Sequence, residues 1–421
     1  MSRREWVLMN HPIYLDYNAT TPIDPNVVDA MLPYLRNDFG NPSSTHAFGR
    51  AARQAVAIAR AQIAALLGAR PNEIVFTGGG SEASNLAIKG VIFPLLFGAS
   101  DQAMCFRNGS GFGLWERFRS LLRRPAKDVH VITSTVEHPA TLRPCSFLQR
   151  LGCRVTTAPV DRYGVVNLRA VERALQEPTA LVTIMHANNE VGTLQPIREI
   201  ACMAHERGAL MHTDAAQSLG KIPVNVAELG ADLLTIAGHK LYAPKGVGAL
   251  YVREGIGLEP LIHGAGHEAG RRAGTENVPY IVGLGTACQL ANEILPTATA
   301  RLRGLRDRLW RQLAKALGDR VVLNGHPEVR LPNTLNVNFA GWDGAELLAA
   351  LPEIAASTGS ACHEGQVRLS PVLEAMGIPA DLGRGAVRFS VGKFTTEAEV
   401  DRATELIVAA TARAPALTGA R

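Results

Sequence analysis

The sequence predicts an α/β fold, with a large domain on a mostly parallel sheet and a smaller α+β domain beside it. Three observations predict it. Short apolar, β-branched runs recur through the middle of the chain, each followed by a polar or glycine-rich turn and then a helix-period stretch. That rhythm changes after about Val278. The chain has 421 residues, more than the ~100–200 of an ordinary single domain.

In chain order the runs expected as strands are Glu73–Phe76, His130–Thr133, Arg154–Thr157, Ala180–Met185, Ala209–His212, Leu233–Ile236 and Ala249–Val252. Helix-period segments such as Arg50–Leu67 and Leu168–Leu175 lie between them. Beyond Val278, two long helical stretches, Tyr280–Leu295 and Thr299–Ala316, lead into strand-like Thr334–Phe339, Ala349–Ala355 and Ala386–Ser390. A last helix begins at Thr396, where Glu399 completes a capping-box pattern. The expected division is a large domain over 22–278, and a small domain combining 1–21 with 279–421. One segment, from Gly90 to Asp128, interrupts the rhythm. Its Leu114, Trp115, Phe118, Leu121 and Leu122 share one helical face among Arg117, Arg119, Arg123 and Arg124, which fits either a surface excursion packed on its own domain or a partner-docking helix.

Composition narrows the class. Hydrophobic residues make up 47% and charged residues 19%, which excludes a disordered chain. No apolar run approaches the roughly 20 residues of a membrane span. Met1–Asn10 lacks the apolar centre of a secretion signal, so the expected location is the cytoplasm. The net charge of +5 is spread along the chain, and no direct nucleic-acid binding is expected. The 6 cysteines show no CxxC pairing, which argues against a zinc site or a disulfide framework. Only seven of the 43 basic residues are lysines, so chemistry that needs a lysine has few candidates.

Ligands of such sheets bind beyond the carboxyl ends of the strands. After the first run comes Thr77-Gly-Gly-Gly-Ser81, opening a helix. Consecutive glycines bring backbone N–H groups close to an anion, and the helix start adds its dipole. It is neither GxGxxG nor a P-loop, which disfavours NAD and ATP. Later turns carry His138, Asn188, Asp214 with Gln217, and His239-Lys240. Taken singly, a histidine at a strand end is ordinarily a satisfied polar residue, and an aspartate ordinarily a helix cap. Together they supply a phosphate cradle, an imidazole, an amide, a carboxylate and a lysine, the inventory of a pyridoxal phosphate site. Lys240 is the best-placed lysine: Lys221, Lys315 and Lys393 lie away from strand ends, Lys89 lies in a helix, Lys127 in the excursion, and Lys245 follows a proline. Cys362 sits in Gly359-Ser-Ala-Cys-His363, a glycine- and serine-rich loop, and is the candidate nucleophile, whereas Cys145, Cys153, Cys202 and Cys288 fall in or beside apolar segments.

The stretches Tyr14-Leu-Asp-Tyr-Asn-Ala-Thr-Thr-Pro22, Gly40-Asn-Pro-Ser-Ser44, His186-Ala-Asn-Asn-Glu190, Thr213-Asp-Ala-Ala-Gln217, Gly238-His-Lys240, Arg272-Ala-Gly-Thr-Glu-Asn277 and Gly359-Ser-Ala-Cys362 resemble the cysteine desulfurases of aminotransferase class V. The likeness runs from about residue 13 to residue 412. It implies a homodimer of pyridoxal phosphate fold type I with a seven-stranded large-domain sheet. By this likeness Gly80 and Ser81 bind the phosphate with His239, and Thr275 reaches it from the other subunit. Lys240 carries the cofactor, Asp214 pairs with the pyridine nitrogen, Gln217 reaches the ring oxygen and His138 stacks on the ring. Asn188 and Arg388 position the substrate carboxylate. Lys240 then moves the Cα proton of L-cysteine, Cys362 takes its sulfur as a persulfide, and alanine leaves. The sulfur would pass to an acceptor such as an iron–sulfur scaffold.

Three departures accompany the likeness. Ala237 stands where many desulfurases place a hydroxyl residue, Gly80 where alanine is common, and His363 where a small hydroxyl residue is common. The Cys-His pair, the insertion after Gly90 and Leu369-Ser-Pro-Val-Leu373 are similar to selenocysteine lyases, which is the alternative activity. An alternative of another class is a non-catalytic scaffold of a sulfur-transfer assembly.

Overall fold

The computed structural model describes residues 12–98, 128–176, 178–358 and 369–412. Its centre is a seven-stranded sheet of β2 (Ile74–Thr77), β3 (His130–Ser134), β4 (Arg154–Ala158), β5 (Leu181–Thr183), β6 (Leu210–Asp214), β7 (Leu233–Ala237) and β8 (Gly248–Val252). The spatial order is β2-β8-β7-β6-β5-β3-β4. Pairings from β4 across to β7 are parallel, and β8 runs antiparallel to both of its neighbours. Six strands therefore end at one edge, joined there by the start of β8. All seven expected runs are strands, with ends displaced by a few residues.

Both faces of the sheet are covered, because successive side chains point to opposite faces. Val75, Val131, Leu181, Leu210, Leu233 and Leu250 pack with the helices Gly80–Phe97 and Pro139–Arg150. On the other face Ile74, Phe76, Leu234, Ile236 and Tyr251 pack with Pro25–Arg36, Ala47–Leu67 and the first half of Val278–Leu317. Farther along that face, Ile132, Val182 and Met211 meet Ile197–Glu206. Each fully buried Leu or Ile contributes roughly 1.5–3 kcal/mol. Cys202 differs from expectation: the buried stripe of its helix is Ile197, Ile200, Ala201 and Ala204, and the thiol falls outside it, exposed.

The C-terminal part is built on the antiparallel sheet β12-β10-β9, formed by Ala386–Ser390, Thr334–Phe339 and Val321–Asn324. A parallel pair, β1 (Ile13–Tyr14) with β11 (Ile354–Ala355), brings the N-terminal segment alongside it. Leu302, Leu305, Leu309, Leu313, Val400 and Ile407 cover this sheet. Two expectations change here. The two long helices are one helix of 40 residues, Val278–Leu317, about 60 Å long. Pro296 lies inside it, on an exposed turn of the helix. The strand expected over Ala349–Ala355 shrinks to Ile354–Ala355. Asp343 instead caps a short helix, Gly344–Ala349, by accepting from the N–H groups of Ala345 and Glu346.

The capping box at the last helix is present. Thr396 N donates to Glu399 Oε2 at 2.7 Å, and Glu399 N donates to Thr396 Oγ1 at 3.2 Å. Thr396→Ala should cost about 0.5–2 kcal/mol, read as a lower denaturation midpoint at unchanged m-value.

A second test concerns Glu137, whose carboxylate ties β3 to the segment after β5. Both its oxygens accept from Met185 N at 3.0 Å, and Oε1 accepts from Ser134 Oγ at 2.6 Å. Burial pushes its pKa up from 4.5 to about 8, against these hydrogen bonds. A carboxyl with a raised folded-state pKa contributes stability that is whole below pH 4.5 and is lost as pH rises to about 8. Denaturation of the parent and Glu137→Gln at a series of pH values should show the parent losing ground to the variant across that window. Parallel curves would contradict the placement of this carboxyl.

Candidate active site

The strand ends that converge on one edge surround a cavity of about 650 Å³, within the ~300–1,000 Å³ typical of small-molecule sites. Its walls come from three parts of the chain: the turns after β2, β3, β5, β6 and β7, the N-terminal segment Asn18–Thr20, and Arg388 of β12.

At one end β2 runs into Gly78-Gly79-Gly80 and the helix Gly80–Phe97. Gly79 is the N-cap, with φ of 145° and no side chain to cap the helix, so the first-turn N–H groups are open to a ligand. The turn also lies tight on β8, since a Cβ on Gly248 would sit 2.7 Å from the Gly79 backbone. Gly78, Gly80, Ser81 and His239 line this end. His239 Nδ1 is 3.2 Å from Thr20 Oγ1, and burial brings its pKa down to about 4, so it is neutral at pH 7.

At the floor, Asp214 ends β6 and accepts from Ala216 N at 2.9 Å. Burial raises its pKa, while His138 and Lys240 pull it down. His138 caps the helix Pro139–Arg150 by accepting from Ala140 N at Nδ1, 3.1 Å away. In the neutral ring its proton is therefore on Nε2. Burial lowers the His138 pKa, Asp214 raises it and Lys240 lowers it.

Lys240 closes the 3₁₀ turn Gly238–Lys240 after β7. Its Nζ donates to the carbonyl oxygens of Asn18 at 2.5 Å and Ala19 at 2.6 Å. Burial and the Arg388 charge bring its pKa down to about 8, against the pull of Asp16 and Asp214. Two residues on, Tyr242 takes a left-handed backbone, φ 62°. Tyr242 N donates to Thr21 Oγ1 at 2.8 Å, and its hydroxyl accepts from Lys393 N at 2.6 Å. The turn that carries the lysine is thus pinned from two other segments.

The opposite wall is Arg388. Its Nη2 pairs with Asp16 Oδ1 at 2.7 Å and its Nη1 donates to Asn189 O at 3.0 Å. Its buried Nε has no hydrogen-bond partner among the described residues. Gln217 lines the same cavity, with Nε2 donating to Asn18 O at 3.0 Å.

The structure brings Gly80, Ser81, His138, Asp214, Gln217, His239, Lys240 and Arg388 together. Asn188 sits behind the wall: its Nδ2 donates to Val136 O at 3.0 Å, its Oδ1 accepts from Glu190 N and Val191 N, and Asn189 lines the cavity instead. Thr275 is exposed and does not line its own chain's cavity. Cys362, His363 and the helix expected around Leu114–Leu122 lie outside the described residues. Burial pushes the thiols of Cys145 to about 12 and Cys153 to about 11 and raises that of Cys288, so none of the three is a ready nucleophile.

Sequence reasoning gave no role to Asn18–Thr20, Asp16, Asn189 or Lys245. It set Lys221 aside for its distance from strand ends. Its nearness in sequence to Gln217 was the available signal, since the turns after β6 bring the two side chains together.

The comparisons agree with this geometry. The family model described as Aminotransferase class-V matches residues 13–102 and 93–403. The cysteine desulfurase IscS of Dictyoglomus turgidum is 45% identical over 395 residues, 93% of each chain. A cysteine desulfurase of Nostoc sp. is 47% identical over 397 residues, 94% of this chain and 92% of its own. Among solved structures, a NifS-like protein superposes with a TM-score of 0.81 at 36% identity, covering 94% of this chain and 98% of its own. A structure described as SspA in complex with cysteine gives 0.73 at 35% identity, covering 91% and 99%. The chain belongs to the class-V aminotransferase family and, within it, to the cysteine desulfurases.

Proposed function

We propose that this protein is a pyridoxal phosphate-dependent cysteine desulfurase that moves the sulfur of L-cysteine onto Cys362 and releases L-alanine. The observation that carries it is one cavity holding a depressed-pKa lysine, a buried carboxyl and an uncapped helix start, with an arginine on the facing wall. The residues fit the cofactor by charge. An anion suits the open N–H groups at Gly80 and Ser81 beside His239, and a protonated ring nitrogen suits Asp214, whose burial otherwise favours the neutral acid. Gln217 offers a donor to the ring oxygen, and His138 supplies a ring face. Bound there, pyridoxal phosphate supplies an electron sink that makes the Cα–H and Cβ–S bonds of the substrate breakable.

The chain's own residues do the rest. Arg388 takes the substrate carboxylate, in competition with Asp16 for its Nη2. Asn188 supports that wall through the backbone it holds. Lys240, once its amine is free, accepts and returns the Cα proton, and a pKa near 8 suits that exchange near neutrality. The Cys362 thiolate attacks the substrate sulfur. An S–S bond forms as the C–S bond breaks, and the carbon skeleton keeps that electron pair, gains protons and leaves as alanine. The persulfide then passes to an acceptor such as an iron–sulfur scaffold protein. Thr275 would act on the phosphate of the other subunit of a homodimer.

The purified protein should be yellow and form alanine from L-cysteine. Lys240→Ala should lose the visible cofactor band and at least ~10³-fold of alanine formation, since both attachment and proton transfer go. A band retained on another lysine would remove Lys240 from its role. Cys362→Ala should keep the band and lose persulfide formation, and an unchanged transfer rate would refute its part.

Substrate choice is decided by kcat/KM for L-cysteine against L-selenocysteine. Appreciable turnover of cysteine is expected. Turnover confined to the selenium compound would make the protein a selenocysteine lyase, and alanine no higher than in a no-enzyme control would leave the scaffold reading.

A further inference from the structure

Lys221 is a buried cation with an unusual partner. It lies four residues beyond Gln217, in the turns that follow β6, and is 6% exposed. Its Nζ donates to Gln217 Oε1 at 3.0 Å, and among the described residues it forms no ion pair with a carboxylate. The charged groups acting on it are the cations Lys240 and Arg388, and with burial as the larger cause they bring its pKa down to about 7. Its backbone is also engaged: the carbonyl accepts from Thr299 Oγ1 at 2.7 Å and the N–H donates to Ser218 O at 3.0 Å. A lysine held this way is costly to bury, and a neutral side chain of similar shape would pack at lower cost.

Its effect falls on the Gln217 amide. The two ends of that amide are chemically opposite: Asn18 O can only accept and so takes the NH₂ end, and the charged Lys221 ammonium can only donate and so takes the oxygen. Nε2 donates to Asn18 O, the same carbonyl that receives Lys240 Nζ. Oε1 receives the Lys221 amine, which donates in either protonation state. A flipped amide would set an NH₂ against an amine donor and an oxygen against a carbonyl oxygen. With one N–H given to Asn18, the second is the group left for a ligand in the cavity that Gln217 lines.

We propose that Lys221 is a positioning residue, which locks the Gln217 amide so that an N–H faces the cofactor's ring oxygen and favours the anionic form of that oxygen. The inference rests on the reading that the cavity holds pyridoxal phosphate with its ring oxygen beside Gln217.

The test is a pH titration of the visible band of the holoenzyme, together with cofactor affinity of the apoprotein by equilibrium dialysis. In Lys221→Met the ring oxygen loses an oriented donor and a nearby cation. The proton it shares with the lysine-linked nitrogen is then held more tightly. The titration midpoint should rise by about one pH unit, a tenfold change in that equilibrium, and the dissociation constant for pyridoxal phosphate should rise several-fold. Gln217→Glu keeps a partner for Lys221 but replaces the donor by an acceptor. It should move the midpoint in the same direction, which keeps the inference testable if Lys221→Met folds poorly. In a Gln217→Leu background, Lys221→Met should add less than a twofold further change.

An unchanged midpoint in Lys221→Met and in Gln217→Glu, whatever the melting temperature does, overturns the role. Full additivity in the Gln217→Leu background overturns positioning through the amide and leaves a direct charge effect. A parent protein without a visible band overturns the cofactor reading and this inference with it. A yellow parent whose variants titrate identically overturns the inference alone.

Discussion

The carbonyl oxygen of Asn18 receives both Lys240 Nζ and Gln217 Nε2, and the cavity depends on it. The oxygen belongs to the N-terminal segment, far in sequence from both donors, and it reaches the strand ends because that segment is fixed elsewhere. Ile13 and Tyr14 pair with Ile354 and Ala355, and Asn18 is tied to Thr334, Asn333 and Ser390 around the small sheet. The large sheet alone would present a lysine, an aspartate and a glycine turn on an open edge. The strap over that edge turns it into an enclosed site in which burial moves pKa values.

Charge in that enclosure is unbalanced in a useful way. Lys240 and Arg388 bring the pKa of Lys221 down, Arg388 does the same to Lys240, and the carboxylates opposing that effect on Lys240 are Asp16 and Asp214. Asp16 is already engaged with Arg388 and Ser357. An anionic ligand relieves the repulsion at one end, and a substrate carboxylate can compete for Arg388 at the other. The low pKa of Lys240 and the affinity for anions thus share a cause: cations gathered where water is scarce.

Strand-end chemistry was legible in the sequence because it is local. A β-branched run followed by Gly-Gly-Gly, or by Gly-His-Lys, states both the element and the exposed turn, so Gly80, His138, Asp214 and Lys240 could be placed on one edge, where their combination pointed to a site. Arg388 was legible only through the likeness to a family, since nothing in Ala386–Ser390 says which side chain points at a distant sheet. Asn18 and Ala19 act through backbone oxygens and leave no mark in side-chain type. Lys221 was passed over because distance from a strand end was taken as distance from the site, and the turns after β6 bring it back. The two-helix reading of 278–317 failed because the break falls at Pro296, on an exposed turn through which the helix continues.

Two departures from the family pattern turn out to be neighbours. A Cβ added to Gly80 would lie 3.0 Å from the Ala237 Cβ, tighter than most real contacts. The missing methyl group and the missing hydroxyl therefore occupy one spot, at the end of the cavity where the helix Gly80–Phe97 begins. Restoring alanine at 80 alone would press on Ala237, and restoring a hydroxyl at 237 would bring a polar group against a turn that now meets only carbon there. The pair is best understood as one change. On the proposed reading, it leaves the phosphate to backbone N–H groups, Ser81 and His239, with less reliance on a side-chain hydroxyl from β7.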